Sequence, residues 1–86
     1  MGTYRIELSR EAAKGLTGFD RNTQMRIRAA IDALADDPRP AGSLKLAGGS
    51  GEWRIRVGDY RVVYEIHDGR LLVLVVRVAH RREMYR

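Results

Sequence analysis

Eighty-six residues make one small domain with a single modest core, and with no cysteine neither disulfides nor a thiolate metal site can support it. Sixteen basic against 11 acidic side chains give a net charge of +5, which points to nucleic acid or an acidic protein as partner. The longest apolar run, 71–76, is too short for a bilayer, and Met1-Gly2-Thr3-Tyr4-Arg5 carries no signal-peptide core, so the expected location is cytoplasmic.

The elements follow in chain order. Residues 3–8 alternate, with Tyr4, Ile6 and Leu8 on one side and Arg5 and Glu7 on the other, which predicts a short strand. Ser9 reads as a helix N-cap, with Glu11 in the first turn where the helix dipole favours an acid. Ala12, Ala13 and Leu16 form a small apolar face, and Gly15 and Gly18 limit that helix. Asp20 reads as a second N-cap. The helix after it runs to about Ala35, with Ile27, Ile31 and Leu34 on one face, and Asp37-Pro38-Arg39-Pro40 stops it.

A loop follows, with a short extended piece at Leu44-Lys45-Leu46. Its glycines, Gly48, Gly49 and Gly51, lack the lysine-serine/threonine ending of a phosphate-binding loop and precede a strand, so they read as a flexible connection. Residues 52–57 and 60–67 are strands joined at Gly58-Asp59. Asp68-Gly69 predicts another two-residue turn, and 70–79 the last strand. That strand is apolar on both faces, with Leu72, Leu74, Val76 and Val78 together on one of them. It therefore belongs inside the sheet, with the N-terminal strand on its far side. The expected architecture is α+β: a single domain over 1–86 with a four-stranded, antiparallel-rich sheet in the order β-α-α-β-β-β. An N-terminal two-helix hairpin packs on one face, and a short turn or helix ends the chain.

A two-residue turn at Gly58-Asp59 sets Arg56 across from Arg61 and Arg54 across from Val63. On the other face it pairs Trp53 with Tyr64, Ile55 with Val62 and Val57 with Tyr60. Like charges directly opposite one another weaken a sheet. The three arginines are either a solvated basic face or a phosphate-facing one, and guanidinium forks match phosphate oxygens. In His80-Arg81-Arg82-Glu83-Met84-Tyr85-Arg86, one helical turn would bring Arg81 and Tyr85 to one side. Tyr85 either stacks on a base or closes a core edge. His80 is either structural or an acid–base group, since its charge changes near neutral pH. His80 and the distant His67 do not suggest a metal site.

Five stretches, in this order and spacing, make the chain resemble RelE-type toxins of the RelE/ParE superfamily. They are residues 4–13, the helical hairpin, residues 40–48, and above all 53–66 with 78–86. The resemblance implies the same small fold and no cofactor. It implies a ribosome-dependent endoribonuclease that cuts mRNA in the A site. The 2′-hydroxyl attacks the adjacent phosphate, leaving a 2′,3′-cyclic phosphate and a 5′-hydroxyl. It also implies the ribosome, mRNA and a small RelB-like antitoxin as partners, in a toxin–antitoxin hetero-oligomer.

By position, Arg54 and Arg61 then stabilise the transition state, Arg81 protonates the leaving oxygen, Tyr85 stacks on the nucleotide, and Arg56 stands where a general base is proposed. Lys45, Arg82 and Arg86 are further RNA contacts. The family pattern has lysines where this chain has Arg54 and Arg56. An arginine stays charged, with a pKa above about 12, so Arg56 is expected to activate electrostatically. The proton then falls to His80, a phosphate oxygen or a ribosomal group. A ParE-like gyrase inhibitor, or a degenerate toxin that only binds its antitoxin, shares the scaffold.

Overall fold

Residues 2–48, 51–80 and 82 are described by a computed structural model. Strand β1 (Arg5–Leu8) leads into helix α1 (Arg10–Thr17) and helix α2 (Arg21–Ala33). Strands β2 (Leu44–Lys45), β3 (Glu52–Val57) and β4 (Tyr60–His67) follow, then a 3-10 turn at Asp68–Arg70 and strand β5 (Leu72–His80). Both helices begin at the expected caps. The Ser9 Oγ accepts from the Ala12 amide at 3.0 Å, and the Asp20 carboxylate accepts from the Thr23 amide at 3.1 Å. Hydrogen bonding from the Thr23 side chain, and then from its amide, holds the Asp20 carboxyl below its ordinary pKa.

The sheet runs β1-β5-β4-β3-β2, with β1 parallel to β5 and the other pairs antiparallel. The fifth strand, beyond the four expected, is the two-residue β2 on the edge of β3. The last strand has neighbours on both sides, as its two apolar faces demand. Ala12 and Leu16 of α1 and Ile27 and Ile31 of α2 pack with Val62, Tyr64, Val73, Val75 and Val78 of the sheet. Tyr64 lies at the centre with 0% exposure, and its hydroxyl donates to the Pro38 carbonyl at 2.7 Å. Burial pushes that phenol above its ordinary pKa.

Two expectations fail at the last hairpin. Asp68 and Gly69 do not form a two-residue turn, and β5 begins at Leu72. The 3-10 turn is followed by Leu71 at φ +49°. The Asp68 side chain is taken up outside the turn: it accepts from the Tyr4 hydroxyl at 2.6 Å and pairs with Arg39 at 2.8 Å. Arg39 in turn lies 5.4 Å from the Trp53 ring centre.

Val78 does not share a face with Leu72 and Leu74. The register shifts between Val63, opposite Arg77, and Tyr64, opposite Val75. Val76 is therefore an extra residue, a bulge that re-aims the rest of the strand and sends Val78 into the core. The Ser9 hydroxyl donates to the Val76 carbonyl at 2.8 Å, so the cap of α1 is bonded to the bulge.

Candidate functional site

The β3–β4 hairpin fixes the site. Gly58 holds φ +61° at the first turn position, where the II′ hairpin turn takes glycine. The register has the expected pairs: Arg56 opposite Arg61, Arg54 opposite Val63, Ile55 opposite Val62 and Trp53 opposite Tyr64. Ile55, Val62 and Tyr64 belong to the core beneath the helices, so the arginines occupy the other face. That face is laid out in rows across the strands. Arg56, Arg61 and Ala79 form one row, Arg54, Val63 and Arg77 the next, and Glu52, Glu65 and Leu74 the third.

The three arginines differ in setting. Arg56 is exposed, Arg54 is half-buried, and Arg61 is 8% exposed. A guanidinium stays ionised when buried, and its field is less screened there than in water. Arg61 therefore offers a fixed, largely dry positive charge, with Arg54 and Arg56 as neighbouring cations. Such a cluster stabilises negative charge developing on a phosphate and cannot act as a base.

Other expected site residues lie elsewhere. His80 is opposite Tyr60, on the helix side of the sheet. Its ring meets Tyr60 edge-on at 5.3 Å, and Tyr60 packs on Phe19 at 4.7 Å. The structure does not bring His80 to the arginines, because residues 79 and 80 point to opposite faces. Lys45 is opposite Trp53, so it too leaves the arginine face, while Leu44 is opposite Arg54. Arg82 is exposed, and its amide donates to His80 Nδ1 at 3.2 Å. Arg81, Tyr85 and Arg86 lie outside the described residues.

Sequence reasoning missed an open groove of about 380 Å3 lined by Glu11, Leu46, Glu52, Val63, Val76 and Arg77. It shares Glu52, Val63 and Arg77 with the rows beside the arginines. The Arg77 Nε stands 3.7 Å from a Glu11 carboxylate oxygen on one wall. The hairpin register already implied Glu52 and Val63. Arg77 depends on the bulge, which alternation alone does not reveal.

The model of the family described as the ParE toxin of type II toxin–antitoxin systems, parDE, matches residues 6–85. The chain belongs to this family, within the RelE/ParE superfamily. Among solved structures it is similar to the archaeal RelE–RelB complex from Pyrococcus horikoshii OT3. The identity is 26% over 92% of this chain and 96% of that one, with a TM-score of 0.81. It is also similar in fold to the isolated E. coli RelE toxin, at 22% identity over 90% and 83% of the two chains and a TM-score of 0.78. YafQ from E. coli strain BL21(DE3) shares the fold at 18% identity over 96% and 99%, with a TM-score of 0.77. None of the curated proteins matches the chain. No described helix is long and apolar enough to cross a membrane.

Proposed function

We propose that this toxin is a ribosome-dependent endoribonuclease that cuts mRNA in the A site. The observation that carries the reading is the arginine row on the sheet face opposite the core, with Arg61 buried and directly opposite Arg56. Guanidinium forks set side by side in this way match the oxygens of a phosphate. The 2′-hydroxyl attacks the adjacent phosphate, and Arg54, Arg56 and Arg61 stabilise the charge that gathers on its oxygens. Arg81 protonates the departing 5′-oxygen, and Tyr85 stacks on the nucleotide. His80 faces the other side of the sheet, so the attacking proton passes to a phosphate oxygen or a ribosomal group.

The solved RelE–RelB relatives support a small antitoxin as partner, and a basic face invites an acidic segment of it. The cytoplasm, where mRNA is translated, is the matching location.

The family model favours a second reading, inhibition of DNA gyrase in the manner of ParE. Paired assays separate the two. The endoribonuclease reading expects cleavage of mRNA on programmed ribosomes and no effect on gyrase. Gyrase-dependent DNA breaks with intact mRNA would reverse the order.

A further inference from the structure

We infer that the groove beside the arginines seats a nucleobase of the bound RNA, and that Glu52 selects bases carrying an exocyclic amino group over uracil. The inference rests on the RNA-cleaving reading above and names a specificity determinant for it.

The charges on this face are segregated by sign. Arg56 stands opposite Arg61 at one end, and Glu52 stands opposite Glu65 at the other, with Arg54, Val63 and Arg77 between. Exchanging one arginine with one glutamate would turn both repulsive pairs into attractive ones. The chain instead keeps like charges together at each end of this face. Rows are about 7 Å apart along a strand, so the face grades from positive to negative over a short distance. A nucleotide has the complementary polarity, with an anionic phosphate at one end and amino hydrogens on the edge of the base at the other.

The groove suits a base. Leu46, Val63 and Val76 give it apolar lining for a flat ring, and Arg77 and Glu11 stand together on one wall. That leaves Glu52. Its neighbour Glu65 meets His67 Nε2 at 2.9 Å, whereas among the described residues no cation or donor engages the Glu52 carboxylate. A carboxylate only accepts hydrogen bonds. Adenine, cytosine and guanine each offer an amino group to it. Uracil offers one N–H flanked by two carbonyl oxygens, which a carboxylate repels. A well-formed polar contact of this kind discriminates by about tenfold.

The test uses the purified protein with short single-stranded oligonucleotides of A, C, G or U, read by fluorescence anisotropy. A second arm maps the cut sites on ribosome-bound mRNA by end sequencing. Wild type is expected to bind the U oligomer about tenfold more weakly than the others. Glu52→Gln, whose amide also donates, is expected to bind all four alike. In the mapping arm, uracil should be depleted at one position beside the cut and return in the variant. Equal binding of all four oligomers by wild type, or a U penalty that survives Glu52→Gln, overturns the inference. Discrimination among oligomers without mRNA cleavage would support the pocket while contradicting the nuclease reading.

Discussion

On the proposed reading, Arg61 is the side chain on which cleavage depends most. It is buried, always charged and directly opposite another arginine, so its guanidinium is already desolvated before an anion arrives. Arg61→Ala and Arg54→Ala are each expected to slow single-turnover mRNA cleavage by about 100-fold or more, with thermal melts showing that the fold survives. Unchanged rates would remove the arginines from the chemistry.

A second residue-scale prediction concerns stability. Arg39 first, then Tyr4, hold the Asp68 carboxyl below its ordinary pKa. A depressed folded-state pKa contributes stability that is present above the ordinary aspartate value and lost as pH falls through the lowered one. The urea midpoint of Asp68→Asn should therefore lie below that of wild type at neutral pH. The difference should shrink through the acidic carboxylate range and vanish below it; a constant difference would mean that the carboxylate's charge is not what matters.

Residue placement was legible where a turn fixed the register. Gly58-Asp59 put the three arginines on one face without any coordinates. It was not legible at Asp68-Gly69, because the Asp68 carboxylate bonds to Tyr4 and Arg39, far away in sequence.

Elements were legible through their caps and their alternation. Ser9 and Asp20 start the helices as their chemistry predicts, and residues 52–57 and 60–67 are strands over their full expected length. The bulge was hidden, because a run of apolar residues such as 71–76 carries no phase to lose. Only the partner strand and Ser9, whose hydroxyl bonds the Val76 carbonyl, show where the period breaks.

The same neighbourhood contains a glycine that is not a helix stop. Gly15 lies inside α1, and a Cβ there would stand 2.7 Å from the Val78 carbonyl oxygen. Alanine would gain about 1 kcal/mol of helix propensity, but the clash is with backbone, and forcing the packed elements apart costs about 1–3 kcal/mol. The clash wins. Gly15→Ala is expected to lose about 1–2 kcal/mol by urea denaturation, and a variant as stable as wild type would mean that α1 stands away from β5.

At the scale of the whole molecule, the two faces of one sheet divide the labour. The helices bury Ile55, Val62, Tyr64, Val75 and Val78 on one side, and this rigid packing sets out charge on the other. The fold is shared across the RelE/ParE superfamily, so it does not choose between RNA cleavage and gyrase inhibition. On the proposed reading, the arginine face carries that choice.

Incubation of the purified toxin with ribosomes programmed by a defined mRNA, followed by end-group analysis of the products, tests it most directly. The predicted result is A-site cleavage leaving a 2′,3′-cyclic phosphate and a 5′-hydroxyl. Intact mRNA at saturating toxin would contradict it.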